Sequence, residues 1–327
     1  MEKLLEVRDL SISLYDGRQP LQIIQDMNFY IKPGEIVGVV GESGCGKSIT
    51  AQSIIGLVEG RKQITGEILF EGKNLLELSN RELRAVRGRE ISMIFQEPMT
   101  SLNPTLTVGY QLMEAFRVHN KTLSHALAYK LSVKALHEVN IPEPEKRIRC
   151  YPHELSGGMR QRVMIAMALS CRPKLMIADE PTTALDVTIQ AQILDIMKQR
   201  KKELGTAVML ITHDLGVVAE TCSRILILYC GRVVEEAPVK ELFSNPRHPY
   251  TRGLLKSLPE IGVRDKLFMI EGNVPSTGNY PDGCPFHPRC HQCIDRCRTE
   301  HPSDTQINEN HRVNCWLTQS EEGKDAV

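Results

Sequence analysis

The chain has 327 residues, 40 basic against 40 acidic side chains for a formal charge of zero, 41% hydrophobic content and ten cysteines, five of them between Cys284 and Cys315. That length exceeds the usual single domain and predicts one large domain with an appendage or two comparable ones. Zero net charge argues against a protein that holds nucleic acid by neutralising phosphates, and near-average apolar content without low-complexity tracts excludes a disordered chain.

The N-terminal MEKLLEVRDL shows no charged stretch followed by an apolar run and a cleavage site, and no apolar run approaches the roughly 18 residues that span a membrane. The expectation is a protein on the cytoplasmic side, attached to membranes only through a partner. Thiols there stay reduced, which turns a cysteine cluster from a disulfide framework into a metal-site candidate. LLEVRDLSISLY (4–15) and GEILFEGKNL (66–75) read as antiparallel strands of a small β-subdomain. GEIVGVVG (34–41), EISMIFQ (90–96), KLMIADE (174–180), AVMLITHD (207–214) and RILILYCG (224–231) are nearly continuous apolar runs. Such runs are strands buried on both faces, as in a mostly parallel sheet covered by helices. KSITAQSIIGL (47–57) and QRVMIAMALS (161–170) supply helices between them, which gives an α/β layered domain. GYQLMEAFRVHN (109–120) and LSHALAYKLSVKALHEVN (123–140) have helical periodicity and few strand signals, so an inserted helical subdomain is expected at about 97–160. The main domain is expected over 1–255. Across 256–327 proline, glycine, cysteine and histidine crowd together, as in GNVPSTGNYPDGCPFHPRCHQC (272–293). A region that poor in apolar periodicity is expected to need a staple such as a metal.

Directly after the run IVGVV comes Gly41-Glu-Ser-Gly-Cys-Gly-Lys47-Ser48, which fits the phosphate-loop pattern G-x-x-x-x-G-K-S/T in the strand, loop, helix setting it requires. Gly41, Gly44 and Gly46 let the backbone turn tightly and aim N–H groups at phosphate oxygens, and the following helix adds its positive end. The expected nucleotide contacts are Ser43, Gly44, Cys45, Gly46, Lys47, Ser48 and Ile49, with Lys47 bridging the β- and γ-phosphates and the Ser48 hydroxyl on Mg²⁺. KLMIADE delivers Asp179 and Glu180 at the C-terminal end of a buried strand, where parallel sheets bind ligands. Asp179 fits the carboxylate that holds the Mg²⁺ hydration shell, and Glu180 the general base for an attacking water. The favoured chemistry is hydrolysis of a nucleoside triphosphate.

Leu155-Ser-Gly-Gly158, followed by MRQRVMIAMALSCRPKLMIADEP, resembles the ATPase subunits of ABC transporters, and the resemblance covers about residues 4–255. It implies the P-loop ABC ATPase fold and a head-to-tail dimer, each ATP lying between the phosphate loop of one subunit and Ser156-Gly157-Gly158 of the other. A serine, two bare amides and a helix N-terminus make physical sense as an anion site. Met159 stands where the family often has glutamine, a common variation. The resemblance further implies that Gln96 is the Q-loop glutamine, touching metal or water, that Ala184-Leu185-Asp186 is the D-loop crossing the dimer interface, and that His213 is the switch histidine at the γ-phosphate. Tyr15 is the best aromatic for stacking on adenine. With Glu180, His213 and the signature all intact, nothing marks the site as degenerate.

QEPMTSLNPTLTVGYQL (96–112) and NPRHPYTRGLLKSLP (245–259) resemble the dipeptide, oligopeptide and nickel importer ATPases. That resemblance implies a bacterial importer with a second, homologous ATPase subunit, two integral membrane permease subunits and an external solute-binding protein. It implies no direct contact with the transported substrate. Nickel or a metal chelate is the alternative cargo to a peptide.

Cys284-x5-Cys290-x2-Cys293-x3-Cys297-x17-Cys315 offers five thiols within 32 residues, where one metal site takes four. Zinc sites usually pair cysteines as two short knuckles, which the outer members here do not form, whereas iron-sulfur clusters tolerate irregular spacing. Iron-sulfur, Zn²⁺ (with His287 and His291 as possible substitutes) and unligated thiols stay open on spacing alone. The importer resemblance implies a 4Fe-4S cluster on Cys284, Cys290, Cys297 and Cys315, with Cys293 spare. Two other classes compete. A soluble ABC ATPase of DNA repair or translation typically carries two cassettes or a long coiled-coil insertion, absent here. An electron-transfer protein would leave the ATPase motifs unexplained.

Overall fold

In the computed structural model the described residues are 2–17, 19–96, 101–182, 187–258 and 268–321. In chain order the strands are β1 (Leu5–Asp16), β2 (Gln19–Ile31), β3 (Ile36–Val40), β4 (Lys62–Phe70), β5 (Lys73–Asn74), β6 (Ile91–Ile94), β7 (Leu175–Asp179), β8 (Ala207–Ile211), β9 (Arg224–Tyr229), β10 (Arg232–Pro238), β11 (Thr305–Asn308) and β12 (His311–Val313). The chain divides into two compact units. One comprises Met1–Leu4, Lys32–Glu35 and Glu77–Ile211, the other Leu5–Ile31, Ile36–Leu76 and Thr212–Val327.

The second unit contains the antiparallel β-subdomain in the order β2-β1-β4-β5. Met27, Phe29 and Ile31 are buried while Asn28 and Tyr30 between them are not, the period of two expected of a sheet with one face on a core. In the same unit β3 runs parallel to β9, and both are buried at every position. From β9 the sheet continues antiparallel through β10 and β12 to β11. The first unit holds β6, β7 and β8, parallel, with β7 in the middle. β7 and β8 are again buried at all positions, as their unbroken apolar runs predict. Helices Val108–Arg117, His125–Glu138 and Pro144–Arg147 occupy the expected helical subdomain. Thr107 and Ser124 cap the first two by accepting from Tyr110 N and Leu127 N. Among the described residues no helix is long and apolar enough to cross a membrane.

The residues expected as a cysteine-rich extension share a core with the rest of the second unit. Cys284, Phe286, Cys297 and Trp316 lie in one buried cluster with Val234, Tyr229 and Tyr250. β12 pairs with β10, Glu235 opposite Val313 and Glu236 opposite Arg312, so the segment adds a hairpin to a sheet already present. Its scarce apolar residues suffice because they complete a larger core instead of building one.

Candidate nucleotide site

In the second unit the phosphate loop leaves β3 and enters the helix Lys47–Ile54. Gly46 caps that helix at φ 101°, a left-handed conformation, and contributes no side-chain cap, so no side chain claims the first-turn amides. Gly44 also has positive φ, at 80°. Gly41 is glycine for space, because a Cβ there would run into the Leu228 carbonyl and the Cys45 sulfur. Lys47 is buried, its Nζ folded back to donate to the carbonyls of Gly41 at 2.8 Å and Glu42 at 3.0 Å. Ser43 and Gly44 are exposed at the crest of the loop; Ser48 and Ile49 are half-buried. Cys45 is buried beneath the loop, and burial pushes its thiol up, so it packs as a neutral thiol. An anion arriving at this loop meets glycine amides, a helix start and an ammonium already gathered.

His213 belongs to this unit and is exposed. Asp214, next to it, caps the helix Leu215–Thr221 through Gly216 N at 2.8 Å and Val217 N at 3.1 Å, which fixes the backbone that carries the histidine. Tyr15 is half-buried; the Arg61 guanidinium lies 4.7 Å from its ring centroid and its hydroxyl donates to Gln63 Oε1 at 3.3 Å. Arg61 is thus already against the ring expected to stack on adenine.

In the first unit Asp179 ends β7 and is 3% exposed. Glu180 follows in the left-handed region at φ 46°, uncommon for a residue with a Cβ and worth about 1–3 kcal/mol of local strain. Its N–H donates to Ile211 O at 2.9 Å. Gln96 Nε2 donates to Glu180 Oε2 at 3.2 Å, so two residues 84 apart in sequence, singled out independently, meet. Ser156 and Gly157 are exposed at the start of the helix Gly157–Leu169, with Ser156 Oγ accepting from Met159 N at 3.3 Å. Nothing lies within 4 Å of where a Gly157 Cβ would be, which leaves the backbone open to a ligand. Asp186, with Ala184 and Leu185, lies outside the described residues.

For the cysteines, no group of three or more His, Cys, Asp or Glu among the described residues is arranged to hold a metal ion. Neither the 4Fe-4S cluster nor the zinc alternative, with or without His287 and His291, is thus shown by a preformed ligand set. Burial pushes the Cys284 thiol up to about 12, and Cys297, Cys315 and Cys290 push it the same way. Cys315 is raised to about 11, by burial first and by Cys290 and Cys297 after it. Burial raises Cys290 and Cys293 as well. Without a ligand these thiols are protonated at neutral pH, the form that packs in a core and does not ligate.

Glu42, Tyr250 and Arg289 escape the sequence reading. Glu42 Oε2 receives Arg289 Nη1 at 2.7 Å, and Glu42 N donates to Tyr250 Oη at 3.0 Å. Glu42 occupies a variable position of the loop pattern and Arg289 lies 247 residues away, so no local spacing links them.

Comparison with known proteins identifies the family. The ABC transporter family model matches residues 24–183, and the model for the oligopeptide/dipeptide transporter C-terminal region matches 234–297. A probable peptide ABC transporter ATP-binding protein, y4tR of Sinorhizobium fredii, is 52% identical over 96% of this chain and 94% of its own length. The oligopeptide transport ATP-binding protein AppD of Bacillus subtilis is 49% identical over 98% of both chains, and its dipeptide counterpart DppD 48% over 100% of this chain and 98% of its own. Among solved structures, the ATP-binding cassette MJ0796, dimeric and bound to ADP and Pi, superposes with a TM-score of 0.66 at 28% identity, covering 72% of this chain and 98% of that one. The phosphate loop, the Gln96–Glu180 pair and the full-length likeness converge: the chain belongs to the ABC transporter ATP-binding subunits of the dipeptide and oligopeptide importer family.

Proposed function

We propose that the chain binds MgATP and hydrolyses it to drive uptake of di- or oligopeptides through a bacterial importer. The observation that carries this reading is the hydrogen bond from Gln96 Nε2 to Glu180 Oε2 at the C-terminal end of β7. In the reading, Lys47 and the amides of Gly44 to Ile49 hold the phosphates, Tyr15 stacks on the adenine, and Ser48, Gln96 and Asp179 hold Mg²⁺. Bound Mg²⁺ neutralises charge on the phosphates and orients them. Glu180 accepts the proton of the attacking water while Gln96 fixes its carboxylate, and His213 steadies the γ-phosphate. Ser156, Gly157 and Gly158 serve the nucleotide of a second, homologous ATPase subunit, with Asp186 at that interface. The partners are then that subunit, two integral membrane permeases and an external solute-binding protein. The chain sits peripherally on the cytoplasmic face and touches no cargo. The open backbone at Gly157 and the names of the relatives support this arrangement. In the assembled transporter, Glu180→Gln is expected to retain MgATP binding and to lower both ATPase rate and peptide uptake by at least about 100-fold, the size of a general-base contribution. Near-normal turnover in that variant would sink the assignment.

A second reading concerns the thiols. Cys284 and Cys297 lie in one buried cluster with Cys290 packed against it, Cys284 N donates to Cys297 O at 2.8 Å, and Cys290, Cys297 and Cys315 all bear on the Cys284 thiol, although among the described residues no three such groups are arranged around one ion. A 4Fe-4S cluster places each of its thiolates on a different iron, and such a spread donor set suits it better than a single ion. The cluster would supply a covalent staple. Anaerobically purified protein is then expected to be brown, with iron and acid-labile sulfide in equal amounts; a colourless, iron-free protein refutes the cluster.

A further inference from the structure

Glu42 is held at each of its polar ends. Its N–H donates to Tyr250 Oη at 3.0 Å, and its carbonyl accepts from Lys47 Nζ at 3.0 Å. Its carboxylate receives both arms of Arg289, Nη1 to Oε2 at 2.7 Å and Nη2 to Oε1 at 3.1 Å. Arg289 is itself seated. Its side chain is 4% exposed, Nε donates to the Glu271 carbonyl at 3.1 Å, and Nη1 reaches Tyr229 Oη at 3.3 Å. The same C-terminal segment meets the loop's surroundings again. Thr277 Oγ1 lies 3.7 Å from where a Gly44 Cβ would be, and Tyr280 Oη donates to Ile23 O at 3.4 Å.

We propose that Arg289 is a positioning residue for nucleotide binding, acting through Glu42 to fix the shape and charge of the phosphate loop. The inference rests on the reading of Lys47 and its loop as the nucleotide site. Two physical effects carry it. The peptide unit of Glu42 bears the carbonyl that parks the Lys47 ammonium, so a Glu42 free to swing loosens the loop before ATP arrives, and preorganisation is lost. An unpaired carboxylate at the loop would also repel a triphosphate, and the guanidinium cancels that charge. A two-armed fork fixes the orientation of the carboxylate as well as its place, which a lysine cannot do.

The test uses the full chain with MgATP as ligand, followed by the assembled transporter. Arg289→Gln is expected to raise the Kd for MgATP about tenfold, the scale of losing a charge-assisted hydrogen bond. Arg289→Lys should fall between that variant and the natural chain. In the transporter the KM for ATP should rise by a similar factor while kcat changes less than twofold, a split that general destabilisation would not give. Because Arg289 acts through Glu42, the double variant Glu42→Gln, Arg289→Gln should bind no more weakly than Arg289→Gln alone. A folded Arg289→Gln that binds MgATP within twofold of the natural chain overturns the proposal, as does a double variant whose loss is the product of the singles. If Arg289→Gln does not fold, Arg289→Lys, which keeps the charge and loses the fork, carries the test, and an affinity equal to that of the natural chain there overturns the proposal equally. Failure of the natural chain to bind MgATP would instead remove the nucleotide-site reading.

Discussion

The strand β7 and the segment 268–321 both bring polar side chains into buried settings, by opposite means. β7 does so locally: five consecutive buried residues, Leu175 to Asp179, run between β6 and β8 and release Asp179 and Glu180 at their end. Parallel pairing satisfies the backbone, and the polar residues come where the strand stops. The segment 268–321 has two short strands, β11 and β12, and works by long-range contacts. Phe286 packs edge-on against Tyr229 with centroids 5.2 Å apart and lies 5.3 Å from Tyr250, while Arg289 reaches Glu42. Trp316 stacks under the Arg296 guanidinium at 3.5 Å and donates Nε1 to Glu300 O at 3.1 Å. The lesson is that one region carries its structure in its own sequence, whereas the other takes its structure from residues up to 284 positions away.

The sharpest way to break that contrast is Phe286→Ala. Phe286 is 3% exposed in a cluster shared with Val40, Ile227 and Tyr250, so truncation is expected to cost about 3–5 kcal/mol. Because the cluster joins the segment to β3, the strand that leads into the phosphate loop, the loss should appear as a lower melting temperature of the nucleotide-binding transition, with MgATP protection reduced. A variant in which the segment alone loosens while MgATP-dependent melting stays put would show that the segment is the separate, stapled extension expected from sequence.

The same contrast explains what was legible. The apolar runs of β3, β7, β8 and β9 are continuous because both faces are covered, and the phosphate-loop spacing is dictated by a turn around an anion, so both are written in adjacent residues. Gln96 and Glu180 were each found at a strand end, and their meeting follows from the parallel pairing of β6 and β7. The pairing of β10 with β12 was not legible. RVVEEAP buries the adjacent acids Glu235 and Glu236, and nothing near them in sequence offers the partners they have in the fold, Arg224 and Arg312 on Glu236 and His311 on Glu235. Buried ion pairs disguise a core strand as a surface one, because each charge makes sense only beside a partner far along the chain.

His311 offers the finest test of how the segment is held. Its Nε2 lies 2.8 Å from Glu235 Oε1 and its Nδ1 2.9 Å from Glu241 Oε1, and the side chain is fully buried. Burial works against the charged imidazole, but the two carboxylates outweigh it and raise the pKa above the ordinary histidine value. Glu235 is also desolvated, yet His311, Thr251 and the N–H groups of Arg247 and His248 hold its pKa below the ordinary one. The signs then fix the window. A raised histidine stabilises fully below its unfolded pKa, about 6.5, and loses that contribution as pH climbs through the folded value. A lowered glutamate stabilises above its unfolded pKa, about 4.3, and loses that contribution as pH falls through the folded value. Stability from this pair is therefore greatest between those limits. The melting temperature of the natural chain is expected to drop between pH 6 and pH 8.5 by about 2–4 °C more than that of His311→Gln, in keeping with one charge-assisted contact. Parallel pH profiles for the two proteins would mean that His311 holds β12 to β10 as a neutral ring, by hydrogen bonds alone.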